Sequence, residues 1–289
     1  MPELKVFTTA AQVRDWSREQ KMSGRKVGFV PTMGALHEGH ASLLRIAAQQ
    51  SDAVVLSIYV NPTQFGPGED FEKYPRTWES DLEIARREGV AAVFAPDRAF
   101  YPEGYRTVVT VPGWKDQWEG EIRPGHFDGV TTVVAKLFLS TQCDVAVFGQ
   151  KDAQQALLLR RIVRDLDFGL KLVVAPIVRE ADGLALSSRN RYLTPEQRRR
   201  SLALSRALMA SVMAWESGER ETSKLLAAGR SVLQADAPDS VDYFSLLDPE
   251  TMGCLDDVPT LDKPALLVTA ARYGATRLID NAAMGNIWE

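Results

Sequence analysis

The segment PTMGALHEGH (31–40) sets two imidazoles, His37 and His40, three residues apart with Gly39 between them. It follows an apolar run and precedes residues at helical spacing, so the pair is expected at a strand-to-helix turn. A helix start there offers unpaired N–H groups and the positive end of the helix dipole, and Gly39 leaves room for a ligand to approach the backbone. Two imidazoles in that position can donate hydrogen bonds to phosphate oxygens and stabilise the charge that builds during transfer. A single histidine there would read as a helix cap or a surface residue. The pair, directly behind Pro-Thr-Met-Gly, favours nucleotide binding. A zinc-protease motif is excluded, because H-E-x-x-H needs its histidines four apart.

Three further segments carry complementary chemistry. Lys151 in GQKD (149–152) supplies a compact cation for an α- or γ-phosphate; on its own such a lysine would read as solvated. LSSRN (186–190) adds the hydroxyls of Ser187 and Ser188 and the guanidinium of Arg189, suited to a triphosphate tail, although by itself it is also an ordinary turn. Asn61 and Gln64 in NPTQF (61–65), with Gln155 after Lys151, are neutral amides. Such groups can hold the hydroxyls and carboxylate of a small acid without quenching the carboxylate as a nucleophile. For Gln155 a solvated helix position is an equal reading. RPGHFDG (123–129) brings the third histidine, His126, and reads equally as a second anion site or flap and as a structural turn. The aromatic cluster at 114–118 reads as core or interface.

These segments need a scaffold that gathers them. Strands are expected over 26–30 (stopped by Pro31), 53–60, 91–95, 144–148 and 171–178, alternating with helices over 40–50, 81–88, 127–140 and 153–165. The run AVVLSIYV (53–60) is almost wholly apolar, as a parallel strand covered on both faces must be. This alternation predicts an α/β fold, a Rossmann-like doubly wound parallel sheet, over residues 1–178. Ligands of such sheets bind beyond the carboxyl ends of the strands, which is where the polar segments fall. After residue 178 the texture changes. Thr194-Pro195-Glu196-Gln197 combines an N-cap threonine, a first-turn proline and a capping-box glutamine, opening a helix that carries Leu202, Leu204, Leu208, Val212 and Trp215. A second helix over 222–234 and strands over 241–247, 265–273 and 278–279 complete a smaller C-terminal α+β domain, 179–289.

The net charge of −4 argues against a protein that coats nucleic acid, yet a few placed cations suffice for one triphosphate. The two cysteines, Cys143 and Cys254, make no metal or redox pattern, and Cys143 reads as a buried thiol. The first residues show no secretory signal, and no apolar run approaches the roughly 20 residues that span a bilayer. A cytoplasmic protein without membrane or nucleic-acid partners is the expectation.

Taken in order and spacing, PTMGALHEGH, NPTQF, YPRT (74–77), RPGHFDGV (123–130), FGQKDAQQ (148–155), LALSSRNRYL (184–193) and RLIDN (277–281) resemble the signature segments of the pantothenate synthetase, or pantoate–β-alanine ligase, family. The H-x-G-H element alone is shared with the wider nucleotidyltransferase superfamily. The resemblance implies a two-step ligase: pantoate attacks the α-phosphate of Mg-ATP to give pantoyl adenylate, and the amine of β-alanine then displaces AMP. It implies that Met33, Gly34, Ala35, Leu36, His37, Glu38, Gly39 and His40 line the ATP site, with His40 donating a proton toward phosphate and His37 assisting. Gly149, Gln150, Lys151, Asp152, Leu186, Ser187, Ser188 and Arg189 would complete that site, with backbone near Val178 meeting adenine. Gln64 and Gln155 would hold pantoate beside Asn61. Asp81 becomes a candidate for organising Mg²⁺, the C-terminal domain a lid, and the assembly a homodimer. The sequence departs from the family pattern at Gln150, often Glu; at Ala153, often aromatic; and at Thr63, often Met. A nucleotidyltransferase with a phosphorylated acceptor would need extra cations where Gln64 and Gln155 stand. A non-catalytic relative would be expected to have lost His40 or Lys151.

Overall fold

Parallel pairing joins the strands of the first half into one sheet. In the computed structural model, which describes residues 3–69 and 71–288, these are β1 (Lys5–Phe7), β2 (Val27–Thr32), β3 (Ala53–Ile58), β4 (Ala92–Phe94), β5 (Val145–Gly149) and β6 (Lys171–Ala175). Their order is β1-β4-β3-β2-β5-β6, with every pairing parallel. The intervening helices are α1 (Ala10–Met22), α2 (Glu38–Gln50), α3 (Trp78–Arg87), the short α4 (Glu119–Ile122), α5 (His126–Thr141) and α6 (Ala153–Asp165).

Strand periodicity of two explains the layering. Val27, Phe29, Ala53, Val55, Ala92, Phe94, Ala146 and Phe148 join one buried cluster with residues of α1, α5 and α6. The alternate residues Val30, Val54, Leu56, Val93, Val145 and Val147 join a second cluster with α2 and α3. Both faces are therefore covered, as the near-continuous apolar strands required. Chain direction reverses between β2 and β5: β3 and β4 are laid down on one side of β2, and β5 on the other. In sheets of this type the ligand crevice opens at that point.

Pro31 does not stop β2, contrary to the sequence expectation; the strand runs on to Thr32. Pairing with β5 ends at Phe29, whereas Thr32 still accepts a bond from Tyr59 N–H on the β3 side. By alternation Pro31 presents its missing donor toward the side where no ladder continues, so the proline is tolerated. The expected strand 53–60 ends at Ile58, where its partner ends at Thr32. β1 and α1 were not anticipated, although Thr9 and Gln12 form a capping box at the start of α1. Cys143 is buried, and burial pushes its thiol up to about 12.

The remaining elements are α7 (Pro195–Glu216), α8 (Thr222–Ala235) and the antiparallel sheet β7-β8-β9, with β7 (Ser240–Leu247), β8 (Ala265–Tyr273) and β9 (Thr276–Met284). Thr194 and Gln197 form the expected capping box of α7. Leu204 and Leu208 of α7, Leu225 and Leu226 of α8 and Leu267 of β8 share one core. The chain divides into two compact units: the residues up to Gly149 with Gln154–Ala175, and Gln150–Ala153 with the residues from Pro176 onward. The sequence division after 178 had placed 150–153 in the first unit.

Candidate active site

The turn between β2 and α2 is built from backbone that only part of the sequence can adopt. Gly34 has φ +83°, and a Cβ there would lie 3.0 Å from Asp81 Oδ2. Ala35 follows at φ +51°, a left-handed conformation that costs a non-glycine residue about 1 kcal/mol. Asp81, near the start of α3 and 1 % exposed, holds this turn: Oδ2 accepts Ala35 N–H at 3.0 Å and Oδ1 accepts Leu36 N–H at 2.8 Å. Thr77 Oγ1 donates to the same Oδ1 at 3.1 Å. A buried carboxylate is thus satisfied by backbone donors of the loop it shapes.

His37 is the N-cap of α2, and the cap is reciprocal. His37 Nδ1 accepts Gly39 N–H at 3.1 Å, while His40 Nδ1 accepts His37 N–H at 3.2 Å. The rings stand 4.1 Å apart, centroid to centroid. A nitrogen that accepts from a backbone N–H carries no proton in the neutral ring. Both imidazoles therefore carry their proton on Nε2, as donors from that atom. Capping and phosphate donation, alternatives in the sequence, use opposite nitrogens of the same rings. Glu38 between them turns away: its carboxylate pairs with Arg45, whose hydrogen bond holds it below the usual carboxylate range.

On the neighbouring strand end, Asn61 is 1 % exposed and its side chain is used internally. Its Nδ2 donates to Gln64 Oε1 at 3.0 Å and to the Gly129 carbonyl at 3.2 Å, and its Oδ1 accepts from Thr63 Oγ1 at 3.0 Å. Gln64 Nε2 in turn donates to Met33 Sδ at 3.1 Å. Asn61 is thus an orienting group for Gln64, and Gln64 joins the β3 rim to the 33–40 turn. Gln155 lies half-buried in the first turn of α6. Its neighbour Gln154 is structural, donating to the Trp114 and Gln117 carbonyls at 3.1 and 2.8 Å. Among the described residues no group of three or more His, Cys, Asp or Glu is placed to hold a metal ion. Asp81 acts here as a loop anchor rather than part of a protein metal cage.

In the second unit, Leu186 N–H donates to the Val178 carbonyl at 2.9 Å, so two sequence-predicted segments lie side by side. Ser187 Oγ accepts Arg189 N–H at 3.2 Å, capping the 3-10 turn Ser188–Tyr192. Asn281 of β9 was not singled out for a role. It donates to the carbonyls of Gln150 and Lys151 at 2.9 and 3.0 Å, fixing the backbone that carries the lysine. The Lys151 ammonium lies 3.6 Å from Asp152. The signal for Asn281 was its place in RLIDN, which the spacing alone could not connect to residue 150.

A family profile described as "Pantoate-beta-alanine ligase" matches residues 5–283. The chain belongs to the pantoate–β-alanine ligase family. It is 58 % identical over 262 residues to the pantothenate synthetase of Acidobacterium capsulatum, covering 90 % of this chain and 87 % of that one. It is 48 % identical over 283 residues to that of Pelotomaculum thermopropionicum, covering 98 % and 99 %. Among solved structures, pantoate-β-alanine ligase from Thermus thermophilus superposes with a TM-score of 0.89 at 43 % identity, over 99 % of this chain and 100 % of that one. The Francisella tularensis enzyme, described as complexed with beta-gamma ATP and β-alanine, gives 0.77 at 30 % identity over 98 % and 99 %.

Two departures from the family pattern have local partners. Gln150 Nε2 donates to Asn281 Oδ1 at 3.1 Å, so the pair is neutral and mutually satisfied. Thr63 Oγ1 bonds Asn61 and lies 3.4 Å from the Tyr101 hydroxyl, contacts a methionine could not make. Ala153 is buried, and nothing in its surroundings explains the smaller side chain.

Proposed function

We propose that this chain is an ATP-dependent ligase that joins (R)-pantoate to β-alanine through a pantoyl adenylate, releasing pyrophosphate and AMP. The observation that carries this reading is the His37–His40 pair, whose Nδ1 atoms are consumed by backbone N–H groups so that each neutral ring donates from Nε2 at the start of α2. In the first step a pantoate carboxylate oxygen bonds to the α-phosphorus while the bond to the pyrophosphate oxygen breaks. His40 donates toward phosphate as that charge builds, assisted by His37 and the Lys151 ammonium. Ser187, Ser188 and Arg189 take phosphate oxygens, and backbone near Val178 takes adenine. The 33–40 turn, 149–152 and Leu186 complete the nucleotide's surroundings.

Gln64 and Gln155 hold pantoate through neutral amides, with Asn61 acting through Gln64, and this leaves the carboxylate its charge. In the second step the β-alanine amine attacks the acyl carbon, AMP leaves, and the amine sheds a proton. Little covalent help is required; alignment and dispersal of phosphate charge do the work. ATP enters as its Mg²⁺ complex. The described residues offer the ion no cage, which suits a cation held by phosphates and water. The reading also carries a cytoplasmic homodimer. No helix among the described residues is long and apolar enough to cross a membrane.

Pantoate labelled with ¹⁸O in its carboxylate tests the route. One labelled oxygen should appear in AMP for each pantothenate formed, since the attacking oxygen stays with phosphorus when the amide forms. Label in inorganic phosphate, with ADP as co-product, would mean an acyl phosphate and would overturn the adenylate.

A further inference from the structure

The third histidine has the opposite chemistry from the other two. His126 Nδ1 lies 2.8 Å from the Gln64 carbonyl oxygen, and its Nε2 lies 3.1 Å from Arg123 Nη1. A carbonyl oxygen only accepts and a guanidinium only donates. The two contacts together therefore admit one state, the neutral ring with its proton on Nδ1. Arg123 is itself fixed, giving two parallel bonds of 2.7 Å to the carboxylate of Glu69. That bidentate pair holds the Glu69 carboxyl below its ordinary range. Glu69, Arg123, His126 and the Gln64 carbonyl thus form one directed chain of hydrogen bonds.

The chain ends on a turn that the start of α5 already grips. At Gly129 a Cβ would fall 2.3 Å from the Thr63 carbonyl oxygen and 2.6 Å from Gln64 N, so only glycine lets the backbones meet. Asn61 Nδ2 reaches the Gly129 carbonyl from the other side. His126 adds a side-chain bond to the backbone of the residue whose amide faces Met33.

We propose that His126 is a positioning residue for the acid substrate: held by Arg123 as the Nδ1–H tautomer, it fixes the Gln64 backbone and with it the amide that receives pantoate. This rests on the assignment of Gln64 to the acid site made above.

Nitrogen-15 spectra of histidine-labelled protein read the tautomers directly, and the His126→Asn variant identifies the His126 signals among the three histidines. His126 should show a protonated Nδ1 and a bare Nε2. A protonated Nε2 at neutral pH, with or without Nδ1–H, overturns the proposal. Kinetics supply the second reading. His126→Ala should raise KM for pantoate about tenfold, the equivalent of one hydrogen bond, and leave KM for ATP within about twofold. His126→Asn places an amide N–H near the Nδ1 position and should recover most of that loss; His126→Gln, whose amide reaches the Nε2 position, should not. Equal behaviour of Asn and Gln, or equal effects on both KM values, overturns it. Gln64→Ala separates the two levels. If it leaves KM for pantoate unchanged, the acid-site assignment fails and the proposal with it. If it raises KM while His126→Ala does not, only the role of His126 fails.

Discussion

His40→Ala should lower the rate of adenylate formation by about 10²–10⁴-fold, the range that a positioned donor to developing phosphate charge supplies. The same substitution removes the acceptor for His37 N–H, so it should also cost about 1 kcal/mol of stability as a lost cap. Two conservative variants separate the effects, because the two jobs use different nitrogens. His40→Asn can still accept from His37 N–H and should restore the melting temperature without restoring turnover. His40→Gln can place an amide N–H near the former Nε2 and should regain part of the turnover. Single-turnover measurements at saturating ATP and pantoate, paired with thermal unfolding, check both. Near-normal turnover in His40→Ala would remove the residue from the chemistry.

Asp81→Asn is the second large effect, and it acts without touching substrate. The carboxylate faces backbone N–H groups at both oxygens, so either orientation of the amide turns a donor onto a donor. One buried N–H then lacks its partner, at a cost of about 1–3 kcal/mol, while Ala35 loses the contact that holds it left-handed. Thermal unfolding without nucleotide or metal should shift downward, and kcat should fall at least about tenfold as the turn before His37 loosens. Extra magnesium should not restore either quantity. An unchanged melting temperature with recovery of activity at high magnesium would instead make Asp81 a metal-organising residue.

The difference between the two roles of Asp81 shows where sequence reading stopped. Its type and place near YPRT suggested a cation, but its partners at Ala35 and Leu36 lie 46 and 45 positions earlier, and no spacing rule connects them. Asn281 is the same case: it orients the backbone of Gln150 and Lys151 across 131 and 130 positions. The layered α/β scaffold was legible because burial on two faces forces nearly continuous apolar strands, and 53–58 could be little else. Polar segments at strand ends then marked the rim. Pro31 misled because its cost depends on whether a neighbour needs its N–H, which is a property of the sheet and not of the strand. The histidines were legible as donors, but their tautomers were not. Those follow from which atoms the backbone and Arg123 present to each ring.

Pyrophosphate–ATP exchange in the absence of β-alanine tests the central claim most directly. Label should move from pyrophosphate into ATP only when pantoate is present, since reversal requires an adenylate formed from that acid. Exchange independent of pantoate, or no exchange together with no pantothenate or AMP when β-alanine is supplied, would contradict it.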